Sequence, residues 1–294
     1  MLLGRSLRRP LAEHMKRINS VAEMKAVCRQ FTSAGHALGL VPTMGALHEG
    51  HLSLVRASKS KCKFTTVSVF VNPLQFGPTE DFGKYPRNIE RDAAMLEGLA
   101  VDVLFTPPVE EMYPAGTKTY VVVDDLSGRL DGASRPGHFR GVTTVVAKLF
   151  EIVRPDFAYF GQKDAAQVAV LRKMVRDLDM DVHLVVCPIV REKDGLALSS
   201  RNVYLSDEQR RQALVLHRAL MRVQMLADRG ERNAATLSQA GEQVIAEQPE
   251  ARLDYFAIVN PDTLEPVIDI SRGALVAVAA FFGPTRLIDN ILLT

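Results

Sequence analysis

The apolar positions of this chain alternate between a helical and a strand-like spacing. Residues 21–34 carry apolar side chains every three or four positions, which predicts an amphipathic helix. The short apolar run 37–41 has the length of a buried strand and is expected to end at Pro42. Residues 65–71, rich in β-branched and aromatic side chains, predict the next strand.

The same alternation continues to about residue 187. Apolar spacing and turn residues predict helices at 52–57, 89–99, 143–153 and 167–177, and strands at 101–105, 157–160 and 182–187. Strands that alternate with helices in this way form a parallel sheet with right-handed crossovers. The predicted fold class is therefore α/β, with a doubly wound parallel Rossmann-like sheet.

A second, smaller α+β domain is predicted after residue 190. Ser206 is expected to start a long helix to residue 228, and a second helix and two strands are predicted at 234–246, 255–259 and 275–282. The predicted division of the chain is an N-terminal extension at 1–18, expected to be disordered, a Rossmann-like domain at 19–189 and a C-terminal domain at 190–294.

Composition and charge narrow the classes of function. The formal net charge is only +2, so the chain lacks an overall field that would favour nucleic acid or anionic membrane partners. Its three cysteines lack the spacing of a disulfide framework or a zinc site, which fits a reducing compartment. The arginine-rich start runs into Pro10 with no apolar signal core behind it, and no apolar run could span a bilayer. We therefore expect a cytoplasmic protein.

Polar residues with a capacity for chemistry gather in four clusters, each at the end of a predicted strand. In the first cluster, residues 41–58, a strand ends at Pro42 and a helix begins near Gly50. A helix that starts at the carboxyl end of a parallel strand offers free N–H groups and a positive dipole end to phosphate. The first cluster therefore predicts a phosphate site.

Two histidines of the first cluster, His48 and His51, stand three residues apart and can point into one cleft. Two imidazoles beside a triphosphate can donate hydrogen bonds to oxygens whose charge grows as a P–O bond breaks. A pair of histidines without a catalytic role is the alternative. A zinc site is disfavoured, because Glu49 is misplaced for a His-Glu-x-x-His motif and no third ligand stands nearby.

The second cluster, residues 69–87, contains an uncharged polar side chain close to a strand end. Gln75 follows Asn72 and Pro73, where a strand of the predicted sheet ends. A primary amide both donates and accepts hydrogen bonds, which suits contacts to hydroxyl and carboxylate groups of a substrate. A glutamine that caps its own loop is the alternative.

The third cluster, residues 159–167, combines a glycine with a lysine. Gly161 ends a strand, and Lys163 and Asp164 open a helix, so that the lysine offers a compact cation to phosphate. A lysine that is simply solvated at a helix start is the alternative.

The fourth cluster, residues 190–205, offers two hydroxyls and a guanidinium. Ser199, Ser200 and Arg201 follow a turn signal and could wrap phosphate oxygens, with bidentate bonds from the arginine. A polar linker between domains is the alternative.

The strings that carry these clusters resemble one family. Residues 42–51, PTMGALHEGH, contain the His-x-Gly-His signature of the nucleotidyltransferase superfamily and, as a whole, resemble the pantothenate synthetase family. The second cluster matches with FVNPLQF and YPR, the third with GQKD and the glutamine three positions later, and the fourth with LSSR. Typical members carry glutamate where this chain has Gln162. The resemblance spans about residues 41–205.

The resemblance implies an ATP-dependent ligase with ATP as co-substrate. Such enzymes join (R)-pantoate to β-alanine through a pantoyl-adenylate intermediate and release AMP and pyrophosphate. The resemblance further implies Mg²⁺ bound with ATP, a homodimer, and a C-terminal domain that closes over the site. Neither a nucleic acid nor a membrane partner is expected.

The resemblance also implies a set of site residues. The implied catalytic residues are His51, His48, Lys163 and Arg201, with His51 as the expected proton donor. The implied ATP-binding residues are Met44, Gly45, His48, Gly50, His51, Gly161, Lys163, Asp164, Val190, Leu198, Ser199, Ser200 and Arg201. The implied contacts to pantoate and β-alanine are Pro42, Met44, Gln75 and Gln167.

Three further segments receive weaker roles. Residues 77–85, hereafter the flap, are expected to be mobile over the site. No residue is assigned as a metal ligand, although Asp92 is a candidate outer ligand of Mg²⁺. A fifth matching string, residues 135–144, includes His138 and Arg140, to which we assign no role beyond forming a wall of the site.

Other functions remain open from the residues alone. A nucleotidyltransferase that joins AMP to a phosphate acceptor is the main alternative, but the neutral side chains of Gln75 and Gln167 do not suit a phosphorylated acceptor. A non-catalytic nucleotide-binding module is a second alternative. An aminoacyl-tRNA synthetase is disfavoured by the small size and by the lack of a basic face for tRNA.

Overall fold

The computed structural model describes residues 14–33, 35–78 and 80–294. Most of the predicted N-terminal extension, residues 1–13, lies outside the described residues. The end of that prediction is wrong, because Lys16–Ile18 forms a strand that pairs in parallel with residues 103–105. The Ile18 side chain is only 1% exposed, so its burial ties this strand to the core.

The larger sheet has six parallel strands in the order β1–β4–β3–β2–β5–β6. They are β1 (Lys16–Ile18), β2 (Leu38–Thr43), β3 (Phe64–Val69), β4 (Val103–Phe105), β5 (Phe157–Gly161) and β6 (His183–Cys187). From β2 the chain first builds one side of the sheet and then returns to place β5 on the other side of β2. The fold prediction is confirmed, and the reversal at β2 and β5 marks the crevice where such sheets bind ligands.

Helices cover both faces of this sheet. They are α1 (Val21–Ser33), α2 (Glu49–Lys61), α3 (Ile89–Glu97), α4 (Val109–Met112), α5 (Asp131–Ser134), α6 (His138–Val153) and α7 (Ala165–Asp177). Leu40 packs in a core cluster with α1, α6 and α7, whereas its neighbour Val41 packs with α2 and α3. Successive side chains of a strand point to opposite faces, so β2 is buried on both.

Strand β2 does not end at Pro42 as predicted but continues to Thr43. The carbonyl of Thr43 accepts the N–H of Phe70 on the β3 side, so the missing N–H of Pro42 faces the β5 side. Pairing with β5 ends at Leu40. The proline therefore removes no hydrogen bond from the ladder, which is why the strand tolerates it.

The second part of the chain forms a separate antiparallel sheet of three strands in the order β7–β8–β9. Its elements are α8 (Asp207–Ala213), α9 (Val215–Asp228), α10 (Ala234–Ala246), β7 (Ala251–Val259), β8 (Ala274–Phe282) and β9 (Thr285–Leu293). The predicted long helix is two helices, because the N–H of Leu214 bonds the carbonyl of Arg211 only three residues back. Ser206 caps α8 as predicted, whereas β9 was not predicted.

None of the helices in the described part of the chain combines the length and the apolar character needed to cross a lipid bilayer.

Candidate active site

The turn between β2 and α2 is held by a carboxylate from α3. Gly45 and Ala46 have positive φ angles of 82° and 50°, and the backbone N–H groups of Ala46 and Leu47 need acceptors. Asp92, which is 1% exposed, accepts from the N–H of Ala46 and from that of Leu47, each at 2.9 Å. Both of its oxygens therefore hold the backbone of the turn, and the suggestion that Asp92 is an outer ligand of Mg²⁺ stays a prediction.

The two histidines of the first cluster cap α2 and each other. Nδ1 of His48 accepts the N–H of Gly50 at 3.2 Å, and Nδ1 of His51 accepts the N–H of His48 at 3.3 Å. Their ring centroids are 4.1 Å apart. Because each Nδ1 is an acceptor, each neutral ring carries its proton on Nε2 and can donate from that atom.

Burial keeps both imidazoles neutral. Burial and the charge of Lys163 lower the pKa of His48 to about 4. Burial, His48 and Lys163 lower the pKa of His51 to about 3. Without a bound substrate both rings are therefore neutral and can donate hydrogen bonds from Nε2, and the expected role of His51 as proton donor stays a prediction.

Gly50 is required by the shape of the capping histidine. A Cβ atom at this position would stand 2.9 Å from Cε1 and 3.0 Å from Nδ1 of the His48 ring. The glycine of the His-x-Gly-His signature therefore keeps the ring in place over the start of α2.

Gln75 brings the second cluster against the first. It lies in the 3₁₀ turn Pro73–Gln75, which Asn72 caps by accepting the N–H of Leu74. The Oε1 atom of Gln75 accepts from Asn72 at 3.1 Å, and its Nε2 donates to Sδ of Met44 at 2.9 Å. Gly141 of α6 lets the turn approach, since a Cβ there would be 2.3 Å from the carbonyl oxygen of Leu74.

The third cluster is held from below by the small sheet. Lys163 and Asp164 lie in the 3₁₀ turn Gln162–Asp164 that leads into α7, and Nζ of Lys163 is 3.6 Å from Oδ1 of Asp164. Asn290 of β9 donates to the carbonyls of Gln162 and Lys163 at 2.9 and 3.0 Å. The amide of Gln162 in turn donates to Oδ1 of Asn290 at 3.0 Å. Three hydrogen bonds therefore fix the turn that carries the lysine.

The fourth cluster folds as a hairpin-like turn that β9 also holds. The N–H of Leu198 bonds the carbonyl of Val190 at 3.0 Å, which closes the turn. Arg191 makes a bidentate pair with Asp289 at 2.6 and 2.9 Å. Oγ of Ser199 then accepts the N–H of Arg201 at 3.2 Å and caps the following 3₁₀ turn.

Two acidic residues of the flap, whose described residues are 77–78 and 80–85, pair with two arginines of the cleft. Arg201 donates to both oxygens of Asp81 at 3.1 and 2.9 Å. Arg135 donates to both oxygens of Glu80 at 2.8 and 2.6 Å. Adjacent acids of the flap thus neutralise cations that face the cleft.

The third and fourth clusters share one polar cavity. It has a volume of about 70 Å³, and it is lined in part by Lys163, Asp164, Gln167, Ser199, Arg201, Arg135, His138 and Arg286. The first cluster adjoins it, since the charge of Lys163 acts on His48 and His51. Tyr85 links the flap to the fourth cluster, with its hydroxyl 3.1 Å from that of Ser200.

Some predicted site residues lie away from this cavity. Met44 and Gly45 line a separate cavity of about 270 Å³ on the side of α3. Pro42 is half-buried at the end of β2 and lines neither cavity. Arg140 is exposed, with its guanidinium 4.8 Å from the ring centre of Tyr120.

Three residues of the site were missed at the sequence level. Arg135 lies in the matching string at 135–144, so that string was the available signal. Arg286 and Asn290 belong to β9, which has no motif and was not predicted as a strand.

Comparison with known proteins gives a consistent result. A family model described as pantoate-beta-alanine ligase matches residues 16–292. A pantothenate synthetase of Koribacter versatilis is 64% identical over 279 residues, which cover 95% of this chain and 96% of that protein. The crystal structure of a pantothenate synthetase from Thermus thermophilus aligns with a TM-score of 0.90 at 51% identity, covering 94% of this chain and 99% of that one. The pantoate-beta-alanine ligase of Francisella tularensis, solved with β-γ ATP and β-alanine, aligns with a TM-score of 0.78 at 33% identity over 95% and 97%.

Proposed function

This chain belongs to the pantoate-beta-alanine ligase family, and on that premise we propose how its cleft performs the reaction. The enzyme is an ATP-dependent ligase that joins pantoate to β-alanine. A free carboxylate does not react with an amine at neutral pH, because its leaving group is poor. The pantoate carboxylate therefore attacks the α-phosphorus of ATP and pyrophosphate leaves. The β-alanine amine then attacks the acyl carbon of the adenylate, and AMP leaves.

His48 and His51 stabilise the phosphates as neutral hydrogen-bond donors. Their Nδ1 atoms are occupied by backbone N–H groups, so both Nε2–H groups are available to oxygens of the α-phosphate and of the leaving pyrophosphate. The hydrogen bond from a neutral imidazole strengthens as negative charge grows on the phosphate oxygen, and the ring keeps its proton. The low pKa of each ring supports this role.

Lys163, Ser199, Ser200 and Arg201 bind the β- and γ-phosphates in this proposal, and Asp164 and Val190 complete the ATP site. The support is their placement at the ends of β5 and β6, at or near one polar cavity. Arg201 already binds a carboxylate of the flap in a bidentate manner. A phosphate group offers the same paired oxygens, so that ATP would take the place of Asp81.

Gln75 and Gln167 orient pantoate, with Met44 and Pro42 on its apolar side. Gln75 contacts Met44 directly, and Gln167 lines the cavity beside Lys163. Uncharged amides suit this substrate, because its carboxylate must stay nucleophilic rather than be neutralised by a cation.

Mg²⁺ would enter with ATP. Within the described residues no group of three or more His, Cys, Asp or Glu side chains could hold a metal ion. We propose that the ion would be held mainly by phosphate oxygens and water. Asp164 is a carboxylate that lines the polar cavity. When bound, it would neutralise charge on the β- and γ-phosphates.

We further propose that residues 190–294 act as a domain that closes over the site, and that the enzyme is a cytoplasmic homodimer. The ties from Asp289 and Asn290 to the ATP-binding turns support coupling between the two parts of the chain. A sheltered site is needed, because water would hydrolyse the adenylate.

Product analysis tests the function directly. The protein is incubated with ATP, Mg²⁺, pantoate and β-alanine, and equal amounts of AMP, pyrophosphate and pantothenate are expected. With β-alanine left out, one equivalent of pyrophosphate per active site should appear in a burst. Pyrophosphate release that needs a phosphorylated acceptor instead of pantoate would show that the function is wrong.

A further inference from the structure

Arg135 is an arginine of the cleft to which the proposed function assigns no role. It follows α5, and its side chain is 17% exposed. It lines the same cavity as Lys163 and Arg201, the two cations that we assign to phosphate. Its guanidinium binds both carboxylate oxygens of Glu80, an acid of the flap.

The fold orients this guanidinium without help from the flap. Nδ1 of His138 lies 2.8 Å from the carbonyl oxygen of Gln75, so this nitrogen carries the proton and donates it. Nε2 of His138 is then free to accept from Nη1 of Arg135 at 3.0 Å. Burial and the charge of Arg135 lower the pKa of His138 to about 4, so the ring stays neutral and remains an acceptor.

A second contact ties the arginine to the substrate side of the cleft. Nη2 of Arg135 is 3.4 Å from the carbonyl oxygen of Gln75, the residue whose side chain we assign to pantoate. Gln75 itself is fixed by the close packing of Gly141 against its turn. The guanidinium is therefore held in a fixed orientation next to the residue that we assign to pantoate.

The charges of the substrates leave one group without a partner. The triphosphate has Lys163 and Arg201, and the pantoate carboxylate becomes part of the anhydride. The carboxylate of β-alanine stays ionised throughout the reaction. A carboxylate inside a cleft that excludes water is costly unless it is paired and hydrogen-bonded, and a bidentate arginine is the strongest such partner.

We propose that Arg135 is the binding site for the carboxylate of β-alanine, and that Glu80 of the flap occupies this site when the substrate is absent. This assignment rests on the proposed function. It makes Arg135 the determinant of specificity for an ω-amino acid over an uncharged amine, with His138 as a positioning residue.

The test compares two acceptors that differ only in charge. β-Alanine and 3-aminopropanamide carry the same amine, but the second has an uncharged amide in place of the carboxylate. The Arg135→Gln variant should lower kcat/KM for β-alanine by about 10²-fold, the range for loss of a buried charge partner. It should change kcat/KM for the amide by less than about 3-fold, so the preference between them collapses. Pantoate-dependent pyrophosphate release, measured without an acceptor, should keep its rate.

Matched variants separate this role from a structural one. Arg140→Gln makes the same change on an exposed arginine outside the cavity and should keep the preference. Glu80→Gln removes the competing carboxylate, so it should keep the preference and lower KM for β-alanine. Arg135→Lys keeps the positive charge but loses the two parallel N–H donors of the guanidinium, so it should retain part of the preference for β-alanine. This variant replaces Arg135→Gln in the test if Arg135→Gln does not fold.

Three outcomes would overturn the proposal. An equal loss with both acceptors in Arg135→Gln would make the arginine a structural contact to the flap. Loss of the preference in Glu80→Gln would also make the arginine a structural contact to the flap. Loss of the first half-reaction in Arg135→Gln would assign the arginine to pantoate or ATP. Failure of the proposed function would look different, because the unchanged enzyme would then release no pyrophosphate on addition of pantoate.

Discussion

The two sheets of this enzyme contribute to one site in different ways. The parallel sheet delivers side chains to the cleft from the ends of its strands, and nearly all the groups to which we assign chemistry follow β2, β3, β5 or β6. The antiparallel sheet contributes mainly contacts to the backbone and to charged side chains of those segments, through Asp289 and Asn290. In the proposed function the first region supplies most of the substrate contacts, and the second mainly fixes the loops that make them, although Arg286 of β9 also lines the polar cavity. Changes in the first should lower the rate of chemistry, and changes in the second should weaken the binding of ATP.

The largest effect is expected from His51→Ala. Removal of a neutral donor to the α-phosphate or the leaving group should lower the rate of adenylation by roughly 10² to 10⁴. Quenched-flow measurement of pyrophosphate release with pantoate and ATP gives this rate. The control is His183→Ala, because His183 is exposed at the start of β6, the end of the strand away from the cleft. An unchanged first half-reaction in His51→Ala would remove the residue from the chemistry.

A smaller effect is expected from Gly50→Ala. The new Cβ would press on the His48 ring, displace it, and lower the adenylation rate by about 10-fold. Gly98→Ala is the matched control, because the nearest atom to a Cβ there is 3.5 Å away. The same rate in both variants would show that the His48 ring has room to move without cost.

The antiparallel sheet is tested by Asn290→Ala. Loss of the three hydrogen bonds to the turn that carries Lys163 should raise KM for ATP by at least about 5-fold while kcat changes less, since a single hydrogen bond contributes about 1 kcal/mol. Asn233→Ala removes the cap of α10 in the same part of the chain and should lower the melting temperature without changing KM for ATP. If Asn290→Ala lowered kcat and left KM unchanged, the division of labour between the sheets would be wrong.

The last prediction concerns stability in mild acid rather than activity. The folded protein keeps His48, His51 and His138 neutral down to a pKa of about 4, 3 and 4, whereas unfolded histidines bind protons near 6.5. The unfolded state therefore binds more protons as the pH falls below 6.5, and stability decreases by at most about 1.4 kcal/mol per pH unit for each histidine. Melting temperatures at pH 7 and pH 5 should show this decrease, and His138→Gln should make it smaller. A melting temperature that is equal at the two pH values would contradict the prediction.

Most strands of the parallel sheet could be predicted because pattern and burial agree there. Strands β2 to β5 are short, largely buried apolar runs, and the clusters at strand ends are motifs with strong spacing. Strand β1 was missed because only Ile18 of its three residues is buried. The third strand of the small sheet could not be predicted, because β9 carries Asp289 and Asn290 in its middle. Both are only 3% exposed, so their burial depends on partners far away in sequence.

The site was predictable as a set of strings but not as a set of protonation states and pairings. Nothing in the sequence indicates that Nδ1 of each capping histidine accepts a backbone N–H group. This hydrogen bond fixes the tautomer, and burial keeps the ring of His51 neutral. Asp92 shows the same limit. A buried carboxylate beside a phosphate site suggests a metal ligand, whereas here it holds a turn with two left-handed residues.

The seating of the flap acids on Arg135 and Arg201 also affects how inhibitors of this enzyme should be assessed. Glu80 and Asp81 are part of the same chain and compete with any added anion for these arginines. A short tether gives such a competing group an effective concentration in the millimolar range. An anionic compound aimed at either guanidinium must displace this internal competitor. Its apparent affinity for the intact enzyme will therefore understate the strength of its own contacts, and screening against a variant with Glu80→Gln and Asp81→Asn would reveal weak compounds that the native flap conceals.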